Sequence, residues 1–105
     1  MQYKITTYDE EETIELAQNI ESEKFANMVI CLEGDLGSGK TVFAKAFAHS
    51  MGIDEVSSPT FSIIKEYLPE ERLDIKIKVT GENTRLVVLK PHGEQYTSIC
   101  EAIIW

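Results

Sequence analysis

The run Gly-Asp-Leu-Gly-Ser-Gly-Lys-Thr at residues 34–41 constrains the fold of this chain more than any other feature. It matches Gly-x-x-x-x-Gly-Lys-[Ser/Thr], the pattern of a phosphate-binding loop (P-loop), at every fixed position. An apolar segment at residues 28–32 leads into the run, and a helical pattern at residues 42–51 follows it. A strand, a glycine loop and a helix start in that order direct backbone N–H groups and the positive end of the helix dipole at one point. The run therefore predicts an α/β domain with an anion site at the start of this helix.

The side chains of this loop are those that bind nucleotide phosphates in P-loop proteins. Lys40 stands at the position that reaches the β- and γ-phosphates, and Thr41 stands at the position whose hydroxyl coordinates Mg²⁺. We therefore predict Lys40 as a catalytic residue and Thr41 as the metal ligand. The predicted nucleotide-binding residues are Asp35, Leu36, Gly37, Ser38, Gly39, Lys40 and Thr41.

Length and composition favour a single soluble domain, residues 1–105. The chain is long enough for one core, and 43% of its residues are hydrophobic. No segment approaches the ~20 apolar residues of a membrane span, and the first residues lack the pattern of a signal peptide. We therefore expect a cytoplasmic protein with no membrane contact, in which Cys31 and Cys100 are free thiols on different elements.

The charge pattern argues against direct contact with nucleic acid. Eighteen acidic and ten basic residues give a net charge of −8. The lysines are scattered among glutamates, and no basic stripe is visible along the sequence. Any role with nucleic acid is therefore expected to pass through a partner.

Local patterns predict the other elements. A strand at residues 3–6 precedes a helix whose start carries two overlapping capping signals, Thr7-x-x-Glu10 and Asp9-x-x-Glu12. Residues 61–67 have a strand pattern, and residues 72–80 and 85–90 form a hairpin around a turn. The inward side of the first hairpin strand is predicted as Leu73, Ile75, Ile77 and Val79, and the buried face of a last helix as Tyr96, Ile99, Cys100 and Ile103. The predicted fold is an α/β, P-loop NTPase-like three-layer sandwich with a mixed sheet that ends in an antiparallel hairpin.

The chain lacks the acid that usually accompanies a P-loop. In P-loop ATPases an acidic residue at the end of a neighbouring apolar strand helps to hold Mg²⁺. Here the apolar residues 87–89 end in Lys90, residues 61–64 run into Lys65, and Asp74 lies on the polar side of an alternating strand. The residues therefore predict nucleotide binding. They do not predict hydrolysis, because the acid that usually helps to hold Mg²⁺ is missing.

Three segments together resemble one known family. They are Glu-Glu-Glu-Thr at residues 10–13, Leu-Glu followed by the P-loop at residues 32–41, and Ser-Ser-Pro-Thr-Phe-Ser-Ile-Ile-Lys-Glu-Tyr at residues 57–67. A Gly-Asp-Leu-Gly-x-Gly-Lys-Thr loop followed within twenty residues by Ser-Pro-Thr-Phe is similar to the bacterial TsaE family, and residues 68–77 resemble its end region. That family is the small ATPase of tRNA threonylcarbamoyladenosine (t6A37) biosynthesis.

The resemblance implies cofactors, partners and further site residues. It implies that ATP and Mg²⁺ bind, and that ATP hydrolysis resets a complex with TsaD-like and TsaB-like subunits, with tRNA contacted only indirectly. It gives Thr60 the catalytic role of a switch threonine that senses the γ-phosphate; a β-branched residue that opens a strand is the equal alternative. Residues 6–10 either approach the adenine or only cap the helix. Arg85 is expected to be a solvated strand arginine, with a position facing the nucleotide as the alternative, and His92 a surface residue without a partner.

The chain departs from the family at one point. Family members carry an Asp-x-Tyr-Arg motif and a later Glu-Trp motif, which supply the missing acid, whereas Tyr67 here runs directly into Leu68. A few dozen residues are therefore absent at this junction, either deleted or belonging to a longer chain. Two other functions stay open on the residues alone: a small-molecule kinase, and a nucleotide-gated binding module without turnover.

Overall fold

The computed structural model describes residues 2–25, 28–34, 38–50 and 70–103. Seven elements follow one another in these ranges: β1 (Tyr3–Thr7), α1 (Glu10–Ser22), β2 (Ile30–Gly34), α2 (Lys40–Ser50), β3 (Arg72–Val79), β4 (Arg85–His92) and α3 (Glu94–Ile103). The predicted strand at residues 61–67, the junction after Tyr67 and the predicted switch residue Thr60 lie outside these ranges.

The four strands form one mixed sheet in the order β1-β4-β3-β2. β2 and β3 are parallel, with Gly34 opposite Ile77. β3 and β4 form the predicted antiparallel hairpin, with Val79 opposite Arg85, and β1 pairs antiparallel with β4, with Thr7 opposite the same Arg85. This register places the end of β2, the β3–β4 turn and the end of β1 along one edge of the sheet.

One face of the sheet carries the core. Leu73, Ile75 and Ile77 are buried as the alternation predicts, whereas Val79 is 53% exposed because it lies at the end of the strand, beyond the helices. All three helices contribute to the same hydrophobic cluster, through Leu16, Ala17, Ile20, Phe43, Ala44, Tyr96, Ile99, Cys100 and Ile103. The α/β class and the predicted face of α3 are confirmed. The third layer of the predicted sandwich stays a prediction, since the described helices share one cluster.

The start of α1 follows its predicted capping signal. Asp9 is the N-cap, and its Oδ1 accepts a hydrogen bond from the Glu12 N–H at 2.8 Å. Glu12 Oε1 in turn accepts from the Tyr8 N–H at 2.8 Å. The buried hydroxyls of Thr7 and Thr13 are 2.8 Å apart and join the end of β1 to the first turns of the helix. These bonds hold the helix start beside the sheet edge described above.

The second face of the sheet gathers basic side chains. The strand register places four exposed lysines on the side opposite the core: Lys4, Lys76, Lys78 and Lys90. The acidic residues Glu33 and Asp74 lie on the same face, Glu33 opposite Lys76 in the register. Sequence order hid the grouping of the lysines because they come from three strands whose pairing is not local.

A small polar network lies on the same second face. Arg72 Nε donates to Asp74 Oδ1 at 2.9 Å, and His92 Nε2 lies 2.9 Å from Asp74 Oδ2. His92 therefore has a partner, Asp74, contrary to the expectation from the sequence. Cys31 is opposite Asp74 in the register, and burial, followed by this carboxylate, raises the pKa of its thiol. Both cysteines are free thiols, as predicted.

Within the described ranges, no helix has the length and apolar character needed to cross a membrane.

Candidate functional site

A cavity of about 440 Å³ lies at the sheet edge where β2, the β3–β4 turn and the start of α1 meet. Its walls come from three parts of the chain that are distant in sequence. The lining residues are Asp9, Glu10 and Thr13 from the N-cap and start of α1; Gly34, Ser38, Gly39, Lys40, Thr41 and Val42 from the P-loop region; and Glu82, Asn83 and Arg85 from the hairpin. Four predicted site residues, Ser38 to Thr41, are therefore brought together on one cavity.

Two glycines fix the course of the backbone on either side of the P-loop. A Cβ at Gly34 would lie 2.5 Å from Ser38 Oγ and 3.2 Å from the Ile77 carbonyl oxygen, so the loop returns closely onto its own strand. Gly39 has φ of +95°, a backbone conformation that residues other than glycine rarely adopt. The described ends of the loop are therefore shaped by the two glycines that the motif requires.

The start of α2 provides a favourable site for an anion. The helix begins at Lys40, and its first turn contains no acidic residue, whereas the first turn of α1 holds three. The first N–H groups of a helix have no partner within it, and the dipole adds positive charge there. Lys40 is half-buried and Thr41 is exposed, so an ammonium and a hydroxyl stand together on the cavity wall. These groups fit a bound phosphate.

Ser38 is fully buried beneath the loop. Among the described residues its Oγ has no hydrogen-bond partner, although buried hydroxyls usually have one. Its backbone carbonyl oxygen, in contrast, accepts a hydrogen bond from Arg85 Nε at 2.9 Å. The hairpin therefore holds the residue before Gly39 through its backbone carbonyl.

Arg85 is part of the site, which corrects the expectation of a solvated strand arginine. Besides the bond to Ser38, its Nη1 donates to the carbonyl oxygens of Thr84 at 2.8 Å and Gly81 at 3.2 Å. The side chain lines the cavity and is only partly exposed. Sequence analysis missed Glu82 and Asn83 altogether, because only the parallel pairing of β2 with β3 brings the turn to the P-loop.

The strand next to the P-loop strand brings no carboxylate to the cavity. At the end of β3, Ile77 is opposite Gly34 and is followed by Lys78 and Val79. The acidic side chains on the cavity wall come from elsewhere, and one of them, Asp9, already caps α1. Among the described ranges, no three His, Cys, Asp or Glu residues are grouped as a metal site. The described residue that suits Mg²⁺ is Thr41, through its hydroxyl.

The structure bears on some of the remaining predicted site residues, whereas others lie outside the ranges that it describes. Asp9 and Glu10 line the cavity, so part of the segment at residues 6–10 does face it, while Asp9 also caps the helix. Asp74 lies near the start of β3, away from the P-loop end. Asp35, Leu36, Gly37 and Thr60 lie outside the described ranges, and their predicted roles stay predictions.

The fold and this cavity define an α/β protein of the P-loop class. A family profile described as "Threonylcarbamoyl adenosine biosynthesis protein TsaE" matches residues 7–85. The chain belongs to the TsaE family.

Several relatives carry the same description. The tRNA threonylcarbamoyladenosine biosynthesis protein TsaE of Bacillus subtilis (strain 168) is 32% identical over 148 aligned positions, which cover 97% of this chain and 94% of that protein. The TsaE protein of Nostoc sp. is 39% identical over 100 aligned positions, which cover 80% of this chain and 62% of the Nostoc protein. The crystal structure of Bacillus subtilis YdiB is similar with a TM-score of 0.83 and 28% identity, covering 98% of this chain and 94% of that one.

The Bacillus subtilis alignment also bears on the missing segment. It extends over 148 positions although the chain has 105 residues, so at least 43 positions hold no residue of this chain. Because nearly all of both proteins is covered, these unmatched positions are internal. This agrees with the few dozen absent residues inferred from the sequence.

Proposed function

We propose that this chain binds ATP with Mg²⁺ and acts in the biosynthesis of tRNA threonylcarbamoyladenosine. The observation that supports this most is that both described ends of the P-loop line a single cavity at the start of α2. Lys40 and Thr41 lie on the same cavity wall. Family membership supports the pathway, because relatives that align with most of the chain carry its name.

The proposed roles follow from the chemistry of each group. Backbone N–H groups of residues 35–41 bind the phosphates, Lys40 neutralises the β- and γ-phosphates, and the Thr41 hydroxyl holds Mg²⁺. The metal ion, when bound, neutralises phosphate charge. Asp9 and Glu10 line the same cavity at the start of α1. We propose that they contact the nucleoside part of ATP.

The finer proposal concerns turnover. ATP hydrolysis, with Thr60 as the switch residue, resets a complex formed with TsaD-like and TsaB-like subunits after each tRNA is modified. The net charge of −8 supports indirect contact with tRNA through those subunits. The family resemblance supports the choice of partners.

One observation favours a second candidate, a nucleotide-gated binding module without turnover. The carboxyl end of β3 presents Lys78 and Val79 beside the P-loop strand, where an ATPase would have its acid. Release of inorganic phosphate separates the two. Tight ATP binding without phosphate release supports the module, and steady release supports the ATPase.

The test is a Lys40→Ala variant in a reconstituted t6A reaction with the other subunits. Loss of a charge-assisted contact to phosphate costs about 3 kcal/mol, so we expect ATP affinity to fall about 100-fold and t6A formation to stop after one turnover. Lys45→Ala is the matched control, since Lys45 is exposed on the same helix and does not line the cavity. Multiple-turnover t6A synthesis by Lys40→Ala at the wild-type rate would contradict the proposal.

A further inference from the structure

Arg85 connects two walls of the cavity that come from distant parts of the chain. Its Nε donates to the Ser38 carbonyl oxygen at 2.9 Å across a separation of 47 residues. Its Nη1 donates to the carbonyl oxygens of Thr84 and Gly81 in the β3–β4 turn, at 2.8 and 3.2 Å. One guanidinium therefore connects Ser38 of the P-loop to the hairpin turn.

The bond to Ser38 also sets the orientation of a peptide unit. A trans peptide is planar, so its C=O and N–H groups point in opposite directions. When Arg85 holds the Ser38 carbonyl towards the hairpin, the N–H of Gly39 in the same unit points away from the hairpin. A carbonyl oxygen held by a guanidinium is not directed at a phosphate, which it would repel. A bond that fixes this peptide unit therefore favours anion binding at the start of α2.

We propose that Arg85 is a positioning residue for the P-loop, which fixes the Ser38–Gly39 peptide and ties the β3–β4 turn to it. The inference rests on the proposed binding of ATP, and it adds a residue outside the P-loop motif to that site. Arginine suits the task because its planar fork donates to several carbonyls at once and is always charged. A lysine has a single nitrogen and cannot reproduce the geometry.

The first test uses the protein without nucleotide, so that it does not depend on ATP binding. Amide hydrogen exchange is followed by NMR in the wild type, Arg85→Lys and Arg72→Lys. Arg72 is the other arginine of the chain, bonds Asp74 and does not line the cavity, so it is the matched control. The reporter amides are those of Phe43, which donates to Gly39, and Thr80, which donates to Thr84. The reference is the amide of Thr97 in α3, which donates to the carbonyl oxygen of Gly93 before the helix.

We expect the Phe43 and Thr80 amides to exchange at least tenfold faster in Arg85→Lys, with Thr97 unchanged and all three unchanged in Arg72→Lys. Equal exchange of Phe43 in Arg85→Lys and the wild type would overturn the proposal. A uniform acceleration at all three amides would also overturn it, because it would assign Arg85 a role in global stability alone.

The second test is calorimetric titration of the same three proteins with ATP and Mg²⁺. We expect Arg85→Lys to raise the Kd for ATP at least tenfold and Arg72→Lys to leave it within twofold. ATP binding by Arg85→Lys at wild-type affinity overturns the positioning role. A wild-type protein that fails to bind ATP contradicts the proposed function instead, and the exchange experiment still decides whether Arg85 orders the loop.

Discussion

At the scale of single residues, Gly34 and Ser38 determine how closely the P-loop lies on the sheet. A Cβ at Gly34 would meet Ser38 Oγ at 2.5 Å and the Ile77 carbonyl oxygen at 3.2 Å. We expect Gly34→Ala to lower the free energy of unfolding by about 2 kcal/mol, as overpacking of a closed site does. Ser38→Ala removes a buried hydroxyl that has no partner among the described residues, so it should be neutral or stabilise by about 1 kcal/mol.

The double variant tests whether the two effects share one contact. With the hydroxyl absent, the added Cβ loses its closest neighbour, so the double variant should recover about 1 kcal/mol relative to the sum of the single changes. Urea unfolding of the four proteins measures this coupling. Simple additivity would show that the Ile77 backbone, and not Ser38, limits the space at Gly34.

Cys100 makes stability depend on pH. Burial raises the pKa of its thiol to about 11, and the neighbouring carboxylate of Glu101 adds to the shift. As pH rises from about 9 towards 11, the unfolded chain releases the proton that the folded chain keeps, so the free energy of unfolding falls over this window and is unaffected below it. Unfolding curves from about pH 8 to pH 11 should therefore fall more steeply for the wild type than for Cys100→Ala. Parallel pH dependences in the two proteins would contradict this account.

At the scale of elements, the cap of α1 matters because this helix start is also a wall of the cavity. Asp9→Ala removes the hydrogen bond to the Glu12 N–H and should cost about 1 kcal/mol of unfolding free energy. Gln18→Ala, at an exposed position within the same helix, should change stability by less than about 0.5 kcal/mol. Chemical denaturation measures both. An Asp9→Ala variant as stable as Gln18→Ala would mean that the Asp9 cap contributes nothing measurable to this helix.

Sequence patterns within single elements predicted the features that depend only on neighbouring residues. The buried face of α3, the Asp9-x-x-Glu12 cap and the β3–β4 hairpin follow from periodicity and turn residues, and the structure confirms them. The Arg85 contact could not be predicted in this way. It spans 47 residues and depends on β2 pairing in parallel with β3, which no local pattern encodes. The pairing of His92 with Asp74 across the hairpin escaped prediction because it depends on which residues face each other across the strands.

At the scale of the whole molecule, charge is distributed differently from what the sequence suggested. The net charge is −8, yet four exposed lysines share the face of the sheet opposite the helices. The alternation of residues 72–80 already placed Lys76 and Lys78 on one side of their strand. Lys4 and Lys90 lie on the same face only because of the strand order β1-β4-β3-β2. The strand order thus groups lysines that are separated in the sequence, on a face that also carries Glu33 and Asp74.

The lack of an acid at the carboxyl end of β3 matters at the same scale. The sequence search found no acid after an apolar strand, and the structure places Lys78 and Val79 at the corresponding end of β3. The alignment with the Bacillus subtilis relative leaves at least 43 positions without a counterpart in this chain. The proposed binding of ATP uses Lys40 and Thr41, which the structure describes, whereas the proposed hydrolysis needs a carboxylate that the carboxyl end of β3 does not provide.

The central claim, that this cavity binds ATP with Mg²⁺ through the P-loop, is tested most directly by calorimetric titration of the wild type and Lys40→Ala. We predict saturable binding of one ATP per chain to the wild type, lost on chelation of Mg²⁺, and affinity about 100-fold weaker in Lys40→Ala. Absence of binding to the wild type, or equal affinity in the two proteins, would contradict the claim.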